Sequence, residues 1–178
     1  MKDSPKPVGV EWLRSAMDRH EGPLLRYAAR ILGDLDRGRD VVQESFMRLW
    51  AKRPTDWDEQ HVAQWLFTVC RNLALDICRK ERRMSLLGEH QLAGAAGTGE
   101  SPAAAAAKHE QVGQVEAALG RLPTNQQEVL RLKFQNGFSY KQIAGITGLS
   151  VSNVGFLIHT GIHTLRERFR ADGLIARA

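Results

Sequence analysis

Cysteine is scarce in this chain, and its placement excludes two kinds of chemistry. Among 178 residues only Cys70 and Cys78 occur. They fall on one helical pattern, about 12 Å apart along its axis, too far for a disulfide, and no further cysteine completes a zinc site. Both read as small apolar side chains. Long apolar runs are missing as well. Nothing approaches the roughly 20 residues that cross a bilayer, and the opening MKDSPKPVGVEW has no apolar core of a secretory signal. These absences predict a cytoplasmic protein with no direct membrane insertion. No alternating apolar and polar run bounded by turn residues argues for a strand, and no internal repeat occurs, so the expected fold class is all-α. No set of nucleophile, base and metal ligands supports an enzyme, so no catalytic residue, cofactor or metal is expected. His159 and His163 share a helix face but lack an acidic third ligand nearby in sequence. The excess of 25 basic over 20 acidic residues is modest, and suits a polyanionic partner without demanding one.

What is present is helical periodicity, most informative in the last third. Ser139 and Gln142 form a capping box for a short helix in which Tyr140, Ile143 and Ala144 recur at helical spacing, and Gly148 ends it. A second start follows at Ser150, and Val151, Val154, Leu157, Ile158, Ile162 and Leu165 make an apolar seam. Two helices around a tight turn are a helix-turn-helix signature, whose second helix usually enters the DNA major groove. Ser150, Ser152 and Asn153 sit at its N-terminus. Phe156 lies off the seam, where it can meet a thymine methyl or a protein partner. His159 has a polar or DNA-facing place on the same helix. Gly155 and Gly161 each cost about 1 kcal/mol in a helix interior, which calls for close helix packing or close approach to a DNA backbone. Thr124 and Gln127 form a further capping box, starting the helix that carries Arg131 and Lys133, two candidate contacts to phosphate or protein.

Periodicity disappears in MSLLGEHQLAGAAGTGES, so the chain divides there: a helical domain over residues 8–84, a flexible Gly/Ala-rich linker over 85–101, and a helix-turn-helix domain over 102–178. Ser101 and Pro102 read as the start of the second domain's first helix. In the first domain one pattern spans about Val10 to Leu32, interrupted or bent at Gly22 and Pro23, which otherwise restart the helix; Tyr27 and Ile31 lie on its buried side. The next runs from about Arg37 to Lys52, with Val42, Phe46, Leu49 and Trp50 inward and Asp40, Gln43, Glu44 and Met47 on a polar face. The third runs from about Gln60 to Arg83. There Val62, Trp65, Leu66, Val69, Leu73 and Ile77 point inward, while Thr68, Asn72, Asp76, Arg79 and Arg83 line up outward. Its basic end, with Arg79, Lys80, Arg82 and Arg83, suits either the helix dipole or phosphate.

In order and spacing these segments resemble a bacterial RNA polymerase sigma factor of the extracytoplasmic-function group, the two-domain kind, over nearly the whole chain. LGDLDRGRDVVQESFMRLW is similar to that family's core-binding segment and WLFTVCRNLALDICRKERR to its promoter-melting and −10-reading helix. LGRLPTNQQEVLRLKF with SYKQIAGITGLSVSNV resembles its fourth region, which reads the −35 element. The resemblance implies a transcription-initiation factor that binds RNA polymerase core through Asp40, Gln43, Glu44 and Met47. It implies −10 promoter DNA contacts from Arg71, Asn72, Arg79, Lys80 and Arg83. It implies −35 contacts from Arg131, Lys133, Ser150, Ser152, Asn153, Phe156 and His159, and regulation by an anti-sigma factor. The loop from Arg53 to Gln60 takes the place where the family holds a flipped −10 base. Trp65 and Phe67 are candidate melting aromatics, with core positions as the competing reading for Trp65, Trp50 and Trp57. The recognition helix departs from the family, having no fixed positive charge before Arg166. A stand-alone helix-turn-helix regulator with an N-terminal dimerisation or sensing domain remains the alternative.

Overall fold

The computed structural model describes residues 9–86 and 106–172. All regular elements among them are helices: α1 (Val10–Leu32), α2 (Leu35–Lys52), α3 (Glu59–Leu86), α4 (Ala106–Gly120), α5 (Thr124–Phe134), α6 (Tyr140–Thr147) and α7 (Val151–Ala171). The first three form one compact unit and the last four another. The helix α3 runs through Ser85 and Leu86, two residues into the expected linker. The rest of that segment, with Ser101 and Pro102, lies outside the described residues. No single helix among the described residues is long and apolar enough to cross a membrane.

The expected break at Gly22 and Pro23 does not occur, and Pro23 lies inside a single α1. Proline there forfeits one backbone hydrogen bond. Burial of Leu24, Tyr27 and Ala28 in the next turn offsets the loss. The helix ends where Gly33 takes a left-handed φ of 69° and its N–H donates to the Ala29 carbonyl at 2.8 Å. The next helix starts almost at once, its first turn capped by the Asp34 carboxylate accepting from the Arg37 N–H. Asp58 does the same for α3, accepting from the His61 N–H at 2.8 Å, and this bond holds the Asp58 carboxyl below its ordinary pKa.

The core of unit 1 is a three-helix layer. Val41, Val42, Phe46 and Leu49 from α2 meet Leu24 and Ala28 from α1 and Leu66, Phe67, Cys70 and Ala74 from α3. The seam on α3 sits about one position round from the expected one: Trp65, Val69, Leu73 and Ile77 are only half-buried, while Phe67, Cys70 and Ala74 are buried. Cys70 and Ala74 are fully buried small side chains, and Phe67 packs its ring 5.2 Å from that of Tyr27. Phe67 is thereby excluded as a melting aromatic. Both cysteines are free thiols, as the spacing required. Burial pushes the Cys70 thiol up to about 12, so it stays protonated.

In unit 2 the capping box of α6 is present in full: Ser139 accepts from the Gln142 N–H while the Gln142 side chain accepts from the Ser139 N–H. Gly148, at φ 76°, ends α6, and Ser150 caps α7 by accepting from the Asn153 N–H. The chain bends by 105° between the two helices, the geometry of a helix-turn-helix. The box expected at Thr124 and Gln127 does not form. Pro123 holds the cap position, Thr124 is already helical, and Gln127 instead donates to the carbonyls of Gly120 and Leu122. The seam of α7 is Val154, Ile158 and Gly161, whereas Val151 is 48% exposed. Gly161 belongs to that seam because a Cβ there would lie 2.9 Å from Leu130 Cδ1 on α5.

Two tests follow from this packing. Gly161→Ala must displace the buried Leu130 and should destabilise unit 2 by about 1–3 kcal/mol in chemical denaturation. Gly155→Ala meets the Tyr140 ring at an ordinary 3.6 Å, and should be neutral or stabilising by up to about 1 kcal/mol. The second concerns His20, half-buried on α1 beside the Arg19–Glu59 ion pair that ties α1 to the start of α3 at 2.6 Å. Burial lowers its pKa below 6.5, Glu59 opposing and Arg19 assisting. The unfolded chain therefore binds the proton more tightly. The contribution of His20 is complete above its unfolded pKa and is lost as pH falls through 6.5 towards the folded value. Stability of unit 1 should rise from pH 5 to pH 7, and His20→Gln should flatten that slope.

Candidate functional site

The polar face of α2 is real and coherent. Asp40, Gln43 and Met47 are exposed, and Glu44 is half-buried, its carboxylate accepting from the Arg48 guanidinium at 2.7 Å. Steps of three and four residues set the four on one side of a helix whose other side is the unit's core. Beside this face runs an open cleft of about 540 Å³ between α1 and α2, floored by Leu13, Met17, Leu25, Val42, Phe46 and Trp50, with Gln43 and Met47 contributing to its wall. Sequence reasoning missed this cleft. It exists only once two helices are paired, and no single helical pattern carries its signal. Met47 is 59% exposed, so the face couples an apolar contact to charges and amides.

The outward face of α3 holds the second group. Asn72, Arg79, Lys80 and Arg83 are exposed, and Arg71 is half-buried. Arg79 pairs with Asp76 at 3.2 Å, an exposed bridge that leaves its charge accessible. Arg37 on α2 pairs with Glu81, which fixes the basic end of α3 against the start of α2. The loop before α3 is held by aromatic contacts. Arg53 takes a left-handed φ of 44° and lays its guanidinium 4.5 Å over the Trp50 ring. Trp57 packs 5.7 Å from Trp65, with the Lys52 ammonium 5.4 Å over Trp57. All three tryptophans are half-buried, so their indoles brace the loop rather than fill the core.

In unit 2 the sequence candidates separate. Arg131 is buried, donating to Glu116 on α4 at 2.7 Å and to Gln127 at 3.0 Å, and Gln135 also reaches Glu116. A guanidinium committed in this way ties α4 to α5 and is removed from the set of DNA contacts. No local pattern signals this, because a basic residue on an amphipathic helix looks the same whether its partner is phosphate or a distant glutamate. Lys133 is half-buried with its ammonium 5.5 Å over the Tyr140 ring. Ser150 spends its oxygen on capping. Ser152, Asn153, Phe156 and His159 are exposed together on α7, as is His163. Among the described residues no group of histidine, cysteine and carboxylate side chains could hold a metal ion.

Comparison with known proteins matches both units. Residues 16–84 match Sigma-70 region 2, and residues 113–162 match Sigma-70, region 4. The ECF RNA polymerase sigma factor SigL of Mycobacterium tuberculosis is 30% identical over 163 residues, 91% of each chain. The ECF RNA polymerase sigma factor EcfG of Rhodopseudomonas palustris is 33% identical over 152 residues, covering 85% of this chain and 82% of that one. Among solved structures, the sigma factor RpoE of Bartonella quintana, crystallised with the anti-sigma factor NepR, shares the fold with a TM-score of 0.70 at 23% identity, over 92% of this chain and 99% of that one. CnrH, solved in complex with the cytosolic domain of CnrY, gives 0.58 at 26% identity, over 92% and 91%. With both regions in order and relatives aligned over most of its length, the chain belongs to the ECF RNA polymerase sigma factors and is a transcription-initiation factor.

Proposed function

We propose that unit 1 docks on RNA polymerase core through Asp40, Gln43, Glu44 and Met47 and opens the −10 element along Asn72, Arg79, Lys80 and Arg83, with Arg71 beside them. In the same reading unit 2 holds the −35 element through Ser152, Asn153, Phe156 and His159, with Ser150 shaping the helix start and Lys133 near the DNA backbone. The observation that carries this reading is the pair of opposed chemistries on one rigid unit. A carboxylate, amide and thioether face on α2 coexists with an exposed cationic face on α3. A stand-alone regulator has no use for the first, and a buried dimer interface disfavours the second.

Strand opening in this scheme needs no covalent step and no turnover. A surface that binds an unstacked base better than the duplex does converts binding energy into melting. Unstacking costs a few kcal/mol, and each enclosed or stacked base returns roughly 1–3 kcal/mol. The braced loop carrying Trp57 offers such enclosure, and the cations of α3 follow the strand. The protein then works where polymerase works, in the cytoplasm, as a dissociable subunit. The RpoE structure contains a bound anti-sigma factor, and a partner of that kind is the one expected for this chain.

The deciding experiment is transcription of a genomic fragment pool by purified core polymerase with and without the protein. New start sites sharing upstream motifs support the reading. Absence of core binding together with tight duplex binding by the protein alone would overturn it. Asp40→Arg with Glu44→Arg should weaken core binding at least about a hundredfold while leaving folding intact. Arg79→Ala with Arg83→Ala should spare core binding, lower the salt slope of promoter binding by about 2, and reduce opening about tenfold.

A further inference from the structure

The exposed stripe of α7 has a chemical bias. Ser152, Phe156, His159 and His163 follow one another at helical spacing, with Asn153 beside them, and all are exposed. From Val151 to Leu165 the helix has neither lysine nor arginine. A guanine presents two acceptors, O6 and N7, to the major groove, and the usual match is the bidentate donor fork of arginine or the ammonium of lysine. This stripe has nothing of that kind.

What it has matches the other base pair. Phe156 is 64% exposed, and none of the described ring or cation contacts involves it. Its apolar surface is unspent, and thymine alone carries a methyl group in the major groove. The Asn153 N–H is used by the Ser150 cap, but its carboxamide makes no hydrogen bond among the described residues. One donor and one acceptor on a planar amide fit the N6 and N7 of adenine. The bond from Asn153 N–H to Ser150 also fixes the first turn, and with it the direction in which Asn153 leaves the helix.

We propose that α7 selects an A·T-rich −35 element, with Phe156 against a thymine methyl and Asn153 on an adenine, in place of guanine contacts. This rests on the −35-reading role given to unit 2 above. The stripe has no lysine or arginine before Arg166, so its discrimination comes from methyl burial and one bidentate amide.

The test uses holoenzyme assembled from the full chain and purified core, selecting from duplex fragments with a randomised upstream region. The selected −35 hexamer should be rich in A·T pairs. Replacing its thymines one at a time by uracil removes only the methyl, and one position should cost about fourfold in affinity with the wild-type chain. That loss should vanish in Phe156→Ala and return in part in Phe156→Leu, and both exposed-site variants should fold normally. A G·C-rich hexamer, or a uracil effect that persists in Phe156→Ala, overturns the base assignment while leaving the −35 role standing. Initiation with no enriched upstream hexamer overturns the −35 role itself. Phe156→Ala that weakens core binding in the absence of DNA assigns the ring to polymerase and overturns the proposal.

Discussion

The closeness with which α2 lies on α1 governs everything unit 1 presents to its surroundings. At Gly38 an added Cβ would sit 3.2 Å from the backbone nitrogen of Ala29, an atom that cannot rotate away. Because the helices meet at backbone distance there, Val41, Val42, Phe46 and Leu49 are carried fully inward one and two turns later. Asp40, Gln43 and Met47 are left on the outside by the same rotation. Ser45 completes the arrangement. It is buried, but its hydroxyl donates to the Val41 carbonyl at 2.7 Å, so a polar group sits in the core without an unmet hydrogen bond. A small side chain there leaves room for α3 to approach through Cys70 and Ala74. Unit 2 repeats the device with one glycine, since Gly161 lets α7 lie against Leu130 of α5.

Legibility in the sequence followed the range of the interaction concerned. Caps are settled within four residues, so the boundaries at Ser139, Gly148 and Ser150 were readable and the helix-turn-helix with them. Thr124 failed because Pro123 before it could occupy the cap position and freed Gln127 for two carbonyls of the preceding turn. Hydrophobic period located α1, α2, α3 and α7 but set the phase of α3 and α7 imperfectly. It weights large side chains, whereas the fully buried positions include the small Cys70 and Ala74, and Gly161 makes a close approach. The burial of Phe67 and Arg131 escapes a periodic reading for a related reason. Each is decided by a partner far away in sequence, Tyr27 for one and Glu116 for the other, and neither distance is encoded in a periodic pattern.

In the proposed function the charges are placed in a way that assigns different kinds of work to different surfaces. Non-specific attraction to DNA comes from cations that displace counterions, and it falls with salt in proportion to the number of phosphates neutralised. Three such cations, Arg79, Lys80 and Arg83, stand exposed together at the end of α3. The reading stripe of α7 has none before Arg166. The stripe itself therefore gains little from proximity to the wrong sequence, and any phosphate attraction in unit 2 comes from cations outside it, such as the exposed Lys141 and Arg166. A weak but discriminating reader tethered to a basic opening surface is useful only when both are held on one polymerase, where linkage multiplies two modest affinities. The absence of lysine and arginine from the stripe then fits the two-unit architecture: a reading surface that never has to bind DNA alone can leave phosphate attraction to cations elsewhere on the protein.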